Sequence, residues 1–290
     1  MDLDGSDAGC FGDATAVRVQ RVLHAARAWV AEQERMVSHG NALMLLHAQR
    51  LPLDRLEAWV RCFERVLAHA PRAEMPALLA SLRAIGARAG EELSLHAAAA
   101  SDVRAAAAVL ERARPLPRGW MLAELPADAS GEAGRDVLDL QEMQAAAGLA
   151  PLPGWFLHGA EGRAVTLALR DDRGALAGSA TVCVAPGPGE AAARAARDGA
   201  QLDRLDPAAP APDLPAPMGM PVSVCLRSDA RGQGLSPVLA GAALRAGCER
   251  FALRGVYAAV RARDAVALRV AARCGFSPHP SEAVVLAEPG

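Results

Sequence analysis

The 290-residue chain contains no lysine: all 31 of its basic residues are arginine. That absence excludes a lysine Schiff base, a lysine nucleophile and any phosphate loop ending in Gly-Lys-Ser/Thr. Isoleucine occurs once, at Ile85, while Ala, Gly and Pro abound, which we read as the coding bias of a GC-rich genome. Aromatics make up 3% of the residues, with Tyr257 the single tyrosine, so the core must be built from Leu, Val and Ala. No apolar run approaches the roughly 20 residues of a membrane helix. The opening Met1-Asp2-Leu3-Asp4 lacks the basic-then-apolar order of a signal peptide, so the expected location is cytoplasmic. The six cysteines (Cys10, Cys62, Cys183, Cys225, Cys248, Cys274) form no C-x-x-C pair and read as reduced, buried thiols. His24, His39, His47, His69 and His96 are scattered without ligand spacing, so no metal is expected.

Apolar residues make up 52% of the chain, ample for a buried core, and the length suits two domains. The formal net charge is -2. The arginines are interleaved with acids, which argues against a nucleic-acid partner. Residues 1–115 read as an all-helical bundle. Apolar residues recur at helical spacing after Ala14, and Leu56, Trp59, Val60, Phe63 and Val66 form a stripe that starts after Pro52. Further helices are expected at 77–89 and 101–112, and no strand-like alternation is evident.

Pro115-Leu116-Pro117 marks a change of character. Residues 116–290 read as strand (120–125), helix (134–147), a hairpin of strands (164–169 and 177–184) and an insertion at about 185–218. A short helix near 190–196 and a Pro/Ala loop are expected within that insertion. Then come strand (221–226), turn, helix (237–253), strand (256–260), helix (265–273) and a last strand near 283–286. Such alternation implies a mixed α/β sheet flanked by helices.

The chemistry concentrates in Val222-Ser223-Val224-Cys225-Leu226-Arg227-Ser228-Asp229-Ala230-Arg231-Gly232-Gln233-Gly234-Leu235-Ser236. A strand runs into a glycine-bearing turn that opens a helix, an arrangement whose backbone N–H groups and helix dipole can cradle an anion. Taken alone, a two-glycine turn serves equally well as a purely structural one. About 30 residues on, Asp264 precedes a helix ending in Gly275-Phe276.

In these two features the sequence resembles the GNAT superfamily of acetyl-CoA-dependent N-acyltransferases. The family signature, Gln/Arg-x-x-Gly-x-Gly/Ala, is matched by Arg231-Gly232-Gln233-Gly234-Leu235-Ser236, with Ser at the last small position. The resemblance extends over 118–290, and before Pro221 it rests on the order of elements. It implies an α/β (α+β) GNAT-type mixed sheet, here preceded by the helical 1–115. It also implies acetyl-CoA as co-substrate, with Leu226, Arg231, Gly232, Gln233, Gly234, Leu235, Ser236 and Asp264 as cofactor-binding positions. The backbone amide of Leu226 would polarise the thioester carbonyl. The implied reaction moves acetyl to a primary amine, on a small molecule or a peptide, by direct attack in a ternary complex. The helical part would shape the acceptor site or mediate a homodimer.

Two family features are missing. Asp264 replaces an Asn, and the position seven residues later, where the family carries a tyrosine acid, is Ala271. Tyr257 is a weak substitute for that acid. No acidic residue lies between Met218 and Leu226, so candidate bases are Glu124, Asp139, Glu142 and His158. A rival reading keeps the fold as a CoA-binding regulatory or scaffolding module. A third, acyl transfer onto aminoacyl-tRNA, would need a basic face that the composition disfavours.

Overall fold

The computed structural model describes residues 9–33, 35–126, 132–159, 163–185 and 218–290. The strands are β1 (Met36–Ser38), β2 (Leu43–Leu45), β3 (Val66–Pro71), β4 (Ala87–Ala99), β5 (Met121–Glu124), β6 (Ala164–Arg170), β7 (Leu176–Ala185), β8 (Met218–Leu226), β9 (Gly255–Arg261) and β10 (Ser277–Pro289). The helices are α1 (Ala14–Ala25), α2 (Arg27–Glu32), α3 (Leu53–Phe63), α4 (Met75–Ala84), α5 (Ala100–Ala113), α6 (Glu132–Ala146), α7 (Gly154–Leu157), α8 (Leu235–Arg250) and α9 (Ala265–Arg273). All ten strands join one mixed sheet in the order β1-β2-β3-β10-β4-β9-β8-β7-β6-β5.

The mixed sheet flanked by helices is as expected, and α1 and α2 lead the chain. The expectation that residues 1–115 are helical throughout is corrected: β1, β2, β3 and β4 lie there, and β4 sits at the centre of the sheet. Local sequence hides these strands for physical reasons. β1 and β2 are three residues each, too short to show a period of two. β4 reads ARAGEELSLHAAA, rich in residues of low strand propensity, and it is held by β10 on one side and β9 on the other. The helix expected at 77–89 ends at Ala84 because Gly86, at φ 73°, turns the chain into β4. The elements expected within 185–218 lie outside the described residues, apart from the start of β8 at Met218.

A strand–helix–strand–helix–strand block occurs twice, as β2-α3-β3-α4-β4 and as β8-α8-β9-α9-β10. In each block a 3-10 turn (Ala48–Arg50; Ser228–Ala230) separates the first strand from its helix, and the first two strands are parallel. In each, the second helix is followed by a glycine in the left-handed region, Gly86 or Gly275, and then by a 13-residue strand. The last strands are exchanged: β10 pairs with β3, and β4 with β9. Register partners Ala283, Ser94 and Val260 share a face. Helices α3 and α4 therefore cover the same side of the sheet as α8 and α9. The opposite side packs on α6 and α7 through Leu140, Phe156 and Leu157.

Helix α8 is apolar on nearly every side, because it lies between the sheet and α5. It buries Leu235, Val238, Leu239 and Leu244, at roughly 1.5–3 kcal/mol each. Gly241 faces α5 so closely that a β-carbon would stand 3.2 Å from Leu110 Cδ1. This packing carries the end of α5 onto the turn that precedes α8.

Candidate active site

Strands β8 and β9 pair only at Met218↔Gly255 and Gly219↔Val256, yet β8 runs on to Leu226 and β9 to Arg261. They therefore diverge. On its other edge β8 slips register against β7 between Val182↔Pro221 and Thr181↔Ser223, which leaves Val222 as a bulge. Pro221 beside it has no N–H to lose, as suits a bulged strand. A cavity of about 390 Å³ occupies the gap. Its walls are Val222, Ser223 and Val224 of β8, Ala258 to Val260 of β9, and small residues of α8 and α9 such as Ser236, Ala240 and Ala271.

At the mouth of the gap the chain makes the glycine turn. Gly232 and Gly234 sit at φ 76° and 75°, a region that costs other residues roughly 1–2 kcal/mol. Gly234 is the N-cap of α8 and supplies no side chain to the helix end. Among the described residues, no protein group accepts from the backbone N–H of Gly232, Gln233 or Gly234. Unpaired amides, the N-terminus of a 16-residue helix and the absence of β-carbons at Gly232 and Gly234 make this turn fit a pyrophosphate. Gln233 Nε2 bonds the carbonyl of Asp229 at 3.0 Å, and Arg227 braces the turn by ion pairs to Asp229 and Asp171 at 2.7 and 2.8 Å. Arg227 holds both carboxyls below their usual range, chiefly by hydrogen bonding.

Leu226 is buried and lies opposite Gly178 on β7. The next amide, Arg227 N–H, donates to Ala177 O at 2.9 Å, so ladder alternation turns the N–H and C=O of Leu226 away from β7. The carbonyl accepts from Arg231 Nε at 3.0 Å. Arg231 thus spends part of its guanidinium on positioning β8. Asp264 lines the cavity and caps α9, its Oδ1 accepting from Ala267 N–H at 2.8 Å.

The other candidates are dispersed. Tyr257 is buried on the α6/α7 side of the sheet, and burial, helped by Glu282, raises its hydroxyl above the usual range. It is not among the cavity walls. Glu124 pairs with Arg250, Asp139 and Glu142 are exposed on α6, and His158 Nδ1 lies 2.6 Å from Pro126 O. None of these four lines the cavity. The lining thiol, Cys274, is pushed up to about 12 by burial, and Cys225 is also raised. Neither is a thiolate at neutral pH, so the site holds no activated cysteine nucleophile.

Two contacts escaped the sequence reading. Arg114, one residue beyond α5, points Nη1 at the carbonyl of Gln233 at 3.5 Å and has no carboxylate partner among the described residues. Gln144, fully buried, donates from Nε2 to Ser223 Oγ in the cavity wall at 3.2 Å, while its Oε1 accepts from Leu152 N–H at 2.8 Å. Both join residues far apart in sequence, and no local pattern marks such pairs. Among the described residues, no group of three His, Cys, Asp or Glu side chains is arranged to hold a metal ion. No described helix is long and apolar enough to cross a membrane.

No family model and no curated protein matches the chain. Solved structures do. A GCN5-related N-acetyltransferase from Kribbella flavida shares 14% identity over 94% of this chain and 96% of its own, with a TM-score of 0.50. A GNAT-family structure from Novosphingobium aromaticivorans shares 14% over 94% and 97%, at 0.51. A Drosophila protein shares 11% over 94% and 89%, at 0.52. The chain has the GNAT fold, and the likeness takes in the first 115 residues as well as the part that carries the motif.

Proposed function

We propose that the gap between β8 and β9 takes acetyl-CoA and that the chain transfers its acetyl group to a primary amine within a ternary complex. The observation that carries this reading is the pairing of a cavity between diverging strands with a glycine turn of unpaired amides at its mouth. The turn would hold the pyrophosphate, the walls of β8 and β9 the apolar arm, and the Leu226 amide the thioester oxygen. The bound cofactor supplies an activated acyl group on a good leaving group. The amine nitrogen attacks the carbonyl carbon and gives up one proton to solvent, the C–S bond breaks, and the thiolate takes up a proton from solvent. The raised thiols of Cys225 and Cys274 favour direct attack over an acyl-cysteine intermediate.

The second reading, a CoA-binding regulatory module, draws support from the cavity lining: its one carboxylate is the helix-capping Asp264, and it contains no tyrosine. Calorimetric titration with acetyl-CoA, CoA and desulfo-CoA separates the outcomes. Micromolar binding together with amine-dependent thiol release supports the transferase; binding without release for any amine supports the module. Gly234→Trp should abolish binding by filling the cradle while the protein stays folded. Unaltered affinity in that variant would sink the assignment of the turn.

A further inference from the structure

A second cavity, of about 540 Å³, opens beside the first. Strands β8 and β9 are parallel, β4 is antiparallel to β9, β10 to β4, and β3 to β10. The ends of β9 and β10 and the starts of β3 and β4 therefore lie at one end of the sheet. Arg65 (just before β3), Arg88 and Glu288 line the second cavity there. Leu149 is a wall of both cavities. Its loop is fixed from both sides, by Asn41 Nδ2 to Ala150 O at 2.9 Å and by Leu149 N–H to Gln144 O at 3.0 Å.

The charges of this cavity fall into two groups. Arg18 and Glu64 form a two-pronged ion pair at 2.5 and 2.6 Å, and Asp13 caps α1 through Ala16 N–H at 2.8 Å. Arg65, Arg88 and Glu288 have no ion-pair partner among the described residues. Arg88 and Glu288 are register partners across β4 and β10, yet Arg88 instead donates from Nε to Pro289 O at 3.3 Å. Two guanidinium groups and one carboxylate are thus left to face a ligand. That set complements a head group bearing one carboxylate and one ammonium.

Resting on the transferase reading, we propose that this cavity anchors the zwitterionic head of the acceptor, an α-amino acid whose second, distal amine passes Leu149 to the thioester. Arg65 and Arg88 hold the head carboxylate and Glu288 its ammonium. The distal nitrogen gains the acetyl group and loses one proton to water, and CoA leaves as the thiol.

The probes are L-lysine, cadaverine, which lacks the carboxylate, and 6-aminohexanoate, which lacks the α-ammonium. Thiol release with acetyl-CoA should favour L-lysine over either analogue by about tenfold or more in kcat/KM. Arg65→Met and Arg88→Met should each raise the KM for L-lysine and narrow its preference over cadaverine to within about twofold. Arg65→Lys, which keeps the charge, should restore part of it. Equal use of L-lysine and cadaverine by the wild type, or an unchanged preference in both methionine variants, overturns the inference. Direct calorimetry with L-lysine reads this cavity apart from the chemistry. Acetyl-CoA binding without L-lysine binding removes the head-group site and leaves the transferase reading standing. L-lysine binding lost in Arg65→Met supports the site even if no acetyl group moves.

Discussion

Arg114 lies against Gly234: a β-carbon on that glycine would stand 3.3 Å from the Arg114 Cζ. One residue follows α5 and the other caps α8, so the first 115 residues reach the glycine turn at the mouth of the cavity. A guanidinium without a carboxylate partner among the described residues, beside unpaired amides, favours phosphate over any neutral ligand. We expect Arg114→Met to weaken acetyl-CoA about tenfold, with a shallower salt dependence, and to leave S-acetylpantetheine, which carries no pyrophosphate, unaffected. Calorimetry with both ligands checks this. Equal losses on the two would assign Arg114 a structural role instead.

The glycine turn and the helix after it were legible because each is a local backbone device written in consecutive residues, whereas Asp264 was read only as a cofactor-binding position and its cap of α9 came from the structure. Gly232 and Gly234 adopt the left-handed conformation that glycine takes at little cost. The strands of the first 115 residues were not legible. β4 is stabilised by Tyr257 and its neighbours on β9 and by the end of the chain on β10, at separations no window spans. The cavity between β8 and β9 is not written in spacing or periodicity, because it opens where the two strands stop pairing after Gly219 and Val256. Nor is the charged cavity beside it, since Arg65, Arg88 and Glu288 meet only once β3, β4 and β10 are side by side.

Tyr257 is the only phenol, but it faces α6 and α7 and its hydroxyl is held above its ordinary range. Lying off the cavity walls, it should contribute little to a departing thiolate. Tyr257→Phe should change kcat by less than about threefold, against the roughly hundredfold or more that loss of a general acid costs. With Asp264, which caps α9, the one carboxylate in the cavity lining, log kcat/KM should climb about one unit per pH unit until the free amine's own pKa, near 10.4 for a lysine-like amine. A plateau near neutral pH would show that a protein base exists after all.

His39 is buried with no partner for Nε2 among the described residues, and burial lowers its pKa from 6.5 to about 4. The folded state therefore prefers neutral imidazole. Above pH 6.5 both states are neutral there and the full stability is present. Below it the unfolded chain takes up a proton that the folded one refuses, so stability falls as pH drops from about 6.5 to about 4. The loss amounts to about 3 kcal/mol for this residue. Urea midpoints across that range should slope downward on acidification, and His39→Leu should flatten the slope. An unaltered slope in the variant would place the acid sensitivity elsewhere.

The two strand–helix–strand–helix–strand blocks make a further demand. If both were functional, each chain would take two cofactors. The first block replaces the glycine turn by Leu46-His47-Ala48-Gln49-Arg50-Leu51-Pro52. Within that segment the only left-handed residue is His47, at φ 52°, and the helix begins after Pro52, which has no amide to offer. The space beyond β2 and β3 is taken by the rings of His47 and His69, 5.1 Å apart, with His69 Nε2 on Glu282 at 3.0 Å. Side chains thus occupy the place that the second block leaves open between β8 and β9. We expect one acetyl-CoA per chain, lost in full in Gly234→Trp. Calorimetry giving a stoichiometry of two, or half the sites surviving in that variant, would show that the first block also binds.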